Sequence, residues 1–287
     1  MGVAAQVDDE QVKLWNGAAG RAWVETREVL EGMFRPLEEL LVQAVSDAAA
    51  SRVLDIGCGT GATTFAVAQL LRQQGHCTGI DISEPMIAAA RARAEREGRP
   101  VSFICADAQT YPFAPASFDM IISRLGVMFF ADPVQAFANL RRAARPDAAL
   151  RFIAWRGAAE NPFMTTAEQA AKPLLPDLPA RRPDAPGQFG LADRKRVENI
   201  LEDSGWDAIA IEPVDVALGF PASQLARYVS WLGPVGTMLQ AMEEPRRTQV
   251  IETVRGAFDR YIHGNDIRFT AVCWMVAARA PAKTAHG

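Results

Sequence analysis

Three apolar residues, Val53, Leu54 and Ile56, with Asp55 among them, pass straight into Gly57, Gly59 and Gly61, and a helix-compatible segment follows from Ala62. A buried strand, a glycine turn and a helix N-terminus in that order form a cofactor site of the nucleotide type. Gly57 lets the chain turn off the strand, Gly59 lets a ligand approach the backbone, and Gly61 lets helix and strand pack closely. The spacing is G-x-G-x-G, one residue shorter than the pattern of dinucleotide enzymes. Two further carboxylates stand at the ends of later apolar runs: Asp81 closes CTGID, and Asp107 comes just after VSFIC. In a parallel sheet ligands lie beyond the carboxyl ends of the strands, which puts both on the ligand side.

Groups able to move a proton are few. Of the three histidines, His76 precedes the second strand and His286 lies in the tail, which leaves His263 in the turn YIHGND. Tyr111, Glu160 and Tyr228 are weaker candidates for a base. Cys58, Cys77, Cys105 and Cys273 have neither C-x-x-C pairing nor histidines at ligand spacing, so no metal site is expected and the thiols read as reduced.

The elements that must position these groups follow from residue 52 as alternating strands and helices, the pattern of a parallel sheet with right-handed crossovers. Strands are expected at 53–56, 77–82, 101–105, 118–123, 150–155, 208–216 and 269–277. Ser83 is expected to cap the helix after the second strand and Asp132 the helix after the fourth strand. Before this core, Leu30, Met33, Phe34, Leu37, Leu40, Leu41, Ala44 and Val45 mark one face of a helix, which Pro36 is expected to kink or restart. The resulting division is an N-terminal helical arm (1–50), a cofactor-binding core (51–156), a proline-punctuated cap insertion (157–190), a core helix and strand (191–220), a helical cap insertion (221–263), and a final strand with a disordered tail (264–287).

At 287 residues with 49% apolar content the chain can fill a sizeable core. A formal charge of −4 gives no general attraction to nucleic acid or anionic membranes. No uncharged apolar run approaches a membrane span, the start lacks a secretory pattern, and a cytoplasmic protein is expected. A homodimer is compatible with the sequence.

Together, VLDIGCGTG, GIDIS, ADAQTYPF and FDMIISRLGVMFF before a DP-initiated helix resemble the class I S-adenosylmethionine-dependent methyltransferases, in particular the group similar to ubiquinone and menaquinone methyltransferases. The resemblance is strong over 52–155. It implies an α/β, Rossmann-like doubly wound, mostly parallel seven-stranded sheet with helices on both faces, plus the helical arm and caps. It implies that Gly57, Cys58, Gly59 and Gly61 border the methionine and ribose of S-adenosylmethionine, and that Asp55 engages the cofactor's amino group or orders the loop near it. Asp81 would accept both ribose hydroxyls, Ile82 and Met86 flank the adenine, and Asp107 and Ala108 read its edge. Ser123 and Arg124 would lie near the methionine end and the reacting centre, Ser123 as a contact of the cofactor. For catalysis the candidates are His263, Arg124 and Tyr111, although in-line methyl transfer requires no universal catalytic residue. Trp15, Trp23, Phe129, Trp155 and Trp231 could wall a pocket for a small, planar or lipid-like acceptor. One departure is Asp147-Ala148 after Pro146, where relatives carry two glycines; Asp tolerates a left-handed turn. The rival readings are a nicotinamide oxidoreductase, which the short glycine spacing and ADAQ oppose, and a catalytically silent cofactor-binding protein.

Overall fold

The structure, a computed structural model, describes residues 3–72, 74–182 and 185–282. Three helices come first: α1 (Val3–Asn16), α2 (Ala18–Glu25) and α3 (Arg27–Asp47). The alternation then runs β1 (Arg52–Ile56), α4 (Ala62–Leu71), β2 (His76–Asp81), α5 (Glu84–Glu97), β3 (Val101–Cys105), β4 (Phe118–Arg124), α6 (Pro133–Ala143) and β5 (Ala144–Trp155). The remainder is α7 (Pro162–Ala171), α8 (Arg194–Asp203), β6 (Asp207–Pro221), α9 (Leu225–Trp231), α10 (Gly233–Gln240), α11 (Arg246–Ala257), β7 (Ile262–His263) and β8 (Asp266–Arg279).

The sheet runs in the order β3, β2, β1, β4, β5, β8, β6, with the two-residue β7 paired to β8 off that path. From β3 to β5 every pairing is parallel, and β8 is antiparallel to both of its neighbours on the path. This is the mostly parallel α/β architecture the alternation implied. Because β1 sits inside the sheet with helices on both faces, its run is buried without polar alternation. Val53 joins the cluster of Val45, Val67, Met120 and Ile122 on one face. Leu54 and Ile56 join Ile121, Phe137 and Leu140 on the other. Asp55, two residues from Val53, therefore projects toward the face that α3 and α4 cover.

Several boundaries differ from the sequence expectation. Helix α3 does not restart at Pro36, because apolar side chains on both sides of it, from Val29 to Val45, are buried and hold one helix in place. Strand β5 begins at Ala144 and carries a register shift opposite Phe118/Met120, with Asp147 at φ 63° in the left-handed region. Asp132 caps α6 by accepting from Gln135 N at 2.9 Å, as expected. Ser83 makes no cap bond to α5. The tail expected to be disordered lies, beyond residue 282, outside the described residues, as does His286.

The segments expected to be two insertions pack against each other. Phe163 of α7 stacks on Phe269 of β8 at 3.7 Å and meets Phe258 at 5.1 Å and Tyr261 at 5.0 Å. Tyr228 of α9 lies on Phe220 at 5.0 Å. The arm closes the other side, with α2 against α5, α3, α9 and α10. Among the described residues no helix is long and apolar enough to cross a membrane.

Candidate functional site

The exits of β1, β2 and β4 meet at one point. Gly57 N and Cys58 N both donate to Ile80 O, at 2.9 and 3.1 Å, which ties the glycine turn to β2. Gly57 has φ +64°, and a Cβ there would lie 2.6 Å from Gly126 Cα. Ser123 seals the same junction: its hydroxyl donates to Ile56 O at 2.8 Å and accepts from Gly126 N and Val127 N at 3.2 Å each. That is the full capacity of a hydroxyl, so the Ser123 side chain positions the turn and has no bond left for a ligand. Gly126→Val is expected to force the β1 and β4 exits apart. Thermal unfolding should report a loss of about 1–3 kcal/mol, with cofactor affinity falling more than stability does.

Above the turn, space is open at Gly59, where an added Cβ would meet only Met86 Sδ, at 3.6 Å. Gly59 N donates to Asp81 Oδ2 at 2.8 Å, and Ser83 N donates to Asp81 Oδ1 at 2.9 Å. Two oxygens with four lone-pair sites keep acceptor capacity beyond these bonds. Burial raises the Asp81 pKa against the pull of the backbone donors. Met86 is buried beside Gly59, and Ile82 is half-buried. At Gly61 a Cβ would come 2.8 Å from Phe103 Cζ, so glycine there lets α4 approach β3. Cys58 packs its sulfur over Gly79, and burial raises its pKa, which keeps it a neutral thiol.

On the α3 face, Asp55 is 1% exposed and accepts from Thr64 Oγ1 at 2.7 Å. Desolvation pushes its carboxyl up to about 7. Arg124 leaves β4 on the same face. Its guanidinium stands 5.7 Å from the Phe34 ring, and its one hydrogen bond among the described residues is a long one, from Nη1 to Phe34 O at 3.4 Å. Burial lowers the Arg124 pKa, while Glu38, Asp55 and Glu31 oppose that shift; an arginine stays charged here. Burial in turn raises Glu38. A desolvated carboxyl and an under-bonded guanidinium at the ends of neighbouring strands suit a ligand carrying both charges of an amino acid.

At the β3 exit, Asp107 accepts from Gln109 N at 2.8 Å, and its carbonyl accepts from Tyr111 N at 2.9 Å. Asn139 of α6 fastens this loop by donating to Ala108 O and Tyr111 O, both at 2.9 Å. The Tyr111 ring lies against Phe113, which meets Phe118 at the opposite end of β4. An aromatic chain links Phe129, Trp15, Trp23, Phe34 and Trp155, with successive centroids 5.0, 6.2, 6.3 and 6.3 Å apart. Trp231 makes no ring contact with this chain among the described residues.

His263 is not brought to this junction. It is exposed and pairs with Asp266 at the tip of the β7–β8 hairpin. The ribbon of β6 and β8 carries that tip well past the Trp155–Cys273 pair, by roughly 20 Å along the strand. His76 is also exposed, with Nε2 2.9 Å from Ser102 Oγ. The sequence reading missed Thr64, Phe34, Glu38 and Asn139. Thr64 stands three residues past the VLDIGCGTG motif, within reach of a local reading, whereas the other three are brought in by folding.

A family model described as a methyltransferase domain matches residues 53–147. Those residues are a class I S-adenosylmethionine-dependent methyltransferase domain. The chain is 41% identical over 107 residues to aklanonic acid methyltransferase DauC of Streptomyces sp. (strain C5), covering 37% of this chain and 49% of that protein. It is 35% identical over 115 residues to nocamycin O-methyltransferase of Saccharothrix syringae, covering 40% and 41% of the two chains. The aligned stretches thus span less than half of either relative. The crystal structure of YcgJ from Bacillus subtilis has the same fold, with a TM-score of 0.56 at 20% identity over 85% of this chain and 97% of that one.

Proposed function

We propose that the protein transfers the methyl group of S-adenosylmethionine to an oxygen nucleophile on a small acceptor of the secondary-metabolite kind. The observation that carries this reading is Asp81, anchored by two backbone donors beside the open space at Gly59. The residues fit the cofactor. Asp81 would hold the ribose hydroxyls, Met86 and Ile82 the adenine face, and Asp107 with Ala108 the adenine edge. Asp55 would face the ammonium, and Arg124 the carboxylate. When bound, S-adenosylmethionine supplies an electrophilic methyl group on a sulfonium.

The chain's own residues align and enclose. The arm and cap exclude water, and the aromatic chain from Phe129 to Trp155 offers an apolar, cation-tolerant wall. Neither His76 nor His263 reaches the junction. Burial holds the Tyr228 phenol far above neutral pH, so it stays protonated and is no base. An acceptor oxygen that ionises by itself, such as a carboxylate, enol or acidic phenol, fits a site of this kind. The names of the two relatives, an aklanonic acid and a nocamycin methyltransferase, agree with that chemistry.

Isothermal titration with S-adenosylmethionine and S-adenosylhomocysteine is expected to give micromolar or tighter binding by both. Folded protein that binds neither would sink the proposal. Turnover of the cofactor with acidic phenols, enols and carboxylic acids then identifies the acceptor class.

A further inference from the structure

Helix α5 begins two residues after Ile82, at the rim of the cofactor site, and it is not capped by its own neighbour. Ser83 holds the N-cap position, yet its hydroxyl donates to Trp15 O at 2.7 Å. Oδ1 of Asn16 takes the N–H of Glu84 instead, at 2.8 Å. Asn16 Nδ2 donates to Ile82 O at 3.1 Å and to Val12 O at 2.9 Å. The end of α1 thus does for α5 what a local side chain usually does for a helix start. Gly20 permits the approach, since a Cβ there would stand 2.7 Å from Ser83 Oγ and 3.1 Å from Pro85 Cγ. The Trp15 ring rests edge-on against Phe129 at 5.0 Å. On its far side the arm is tied to the cap: Arg227 donates to Glu25 O, with the Glu25 carboxylate 3.7 Å away.

Ile82, Ser83 and Glu84 are the residues that follow Asp81, and Ser83 N is one of the two donors that orient the Asp81 carboxylate. A contact that fixes these three residues also fixes the direction of the Asp81 oxygens. We propose that Asn16 is a positioning residue for the cofactor site, capping α5 from the arm so that docking of the arm and orientation of Asp81 are one event. The arm is then a lid that closes onto bound cofactor, and cofactor binding stabilises the closed lid by the same amount that the lid tightens binding. This rests on the S-adenosylmethionine reading above.

The test uses the full chain as wild type, Asn16→Ala and Asn16→Asp, with S-adenosylhomocysteine titration and amide hydrogen exchange. Asn16→Ala should bind S-adenosylhomocysteine about tenfold more weakly. Without ligand it should exchange faster at Glu84 and across residues 10–25, with the thermal midpoint of the core close to wild type. Asn16→Asp keeps an acceptor for Glu84 N and should recover most of the Glu84 protection. In the wild type, S-adenosylhomocysteine should slow exchange across the arm. Wild-type affinity and unchanged arm exchange in Asn16→Ala would overturn the proposal. So would weakened binding in Asn16→Ala with Glu84 exchange unaltered, because the cap would not be the cause. Wild-type protein that binds no S-adenosylhomocysteine would overturn the function proposed above and the coupling with it, while Glu84 exchange in the ligand-free variants still decides the cap.

Discussion

Asp81→Ala is expected to lower the affinity for S-adenosylhomocysteine by at least about 100-fold, read by isothermal titration, with the chain still folded. Asp81 is 8% exposed and accepts from Gly59 N and Ser83 N. Alanine leaves both backbone donors without their acceptor, at about 1–3 kcal/mol for each one that water cannot reach. It also removes the proposed acceptor of the ribose hydroxyls, and hydrogen bonds to a charged group contribute about 1.5–3 kcal/mol each. Two such bonds correspond to a factor of about 100 or more. Asp81→Asn separates the two roles. An amide has one acceptor oxygen, so either Gly59 N or Ser83 N would face an NH2 group, and an intermediate loss is expected. Unchanged affinity in Asp81→Ala would refute the ribose assignment.

Asp55→Asn is expected to make the ligand-free protein more stable above neutral pH and the ligand complex weaker. Burial pushes the Asp55 carboxyl up to about 7, with Thr64 and Arg124 opposing the shift and Asp81 and Glu38 adding to it. A carboxyl whose folded pKa lies above its unfolded value binds its proton more tightly when folded. Its contribution to stability is therefore complete below the unfolded value of 3.8 and is lost as pH rises toward about 7. Above that, the folded chain keeps a desolvated charge. The neutral amide of the variant avoids that charge while its oxygen still accepts from Thr64 Oγ1. Denaturant unfolding of the ligand-free chains should thus show the wild type losing stability relative to Asp55→Asn across this window. S-adenosylhomocysteine affinity should respond the other way. An ionised Asp55 would face the ligand's ammonium, so wild-type affinity should rise between about pH 6 and pH 8, while Asp55→Asn binds at least about tenfold more weakly with a flatter profile. Parallel pH profiles for the two proteins would refute the ammonium assignment.

Stability and ligand affinity then oppose one another at a single residue. The same tension marks Arg124, a buried guanidinium with one long hydrogen bond to Phe34 O and with Glu38, Asp55 and Glu31 as its charge partners. Both groups stand where β1 and β4 end, on the face covered by α3. An amino acid's two charges would supply each of them with a counter-charge.

The glycine turn and the strand ends around it were legible in the sequence because their signals are local. A central strand buried on both faces reads as a continuous apolar run, and the turn that follows needs glycine at Gly57, where the backbone meets Gly126. Asp81 and Asp107 stand at strand ends, and parallel pairing brings strand ends together without further information. Asp132, with Pro133 and the helix pattern behind it, announced its own cap.

Other features had no local signal. His263 looked like a base because it stood in a turn between the cap and the last strand, but the length of the β6–β8 ribbon places that turn far from the glycine junction. Ser83 looked like a helix cap, yet its hydroxyl answers to Trp15 and its place is taken by Asn16. Ser123 was read as a ligand contact, and the return of the chain at Gly126 and Val127 uses all of its hydroxyl. The two insertions read as separate units, and the ring of Phe163 joins them. The sequence alone determined the α/β core and the glycine turn between β1 and α4, because strand burial, glycine φ angles and strand-end carboxylates are set within a few residues. Only the tertiary structure decided which helix caps α5, what lies near Asp55 and Arg124, and which aromatic rings meet one another, because hydrogen-bond partners and packing neighbours far apart in sequence are selected by the fold as a whole.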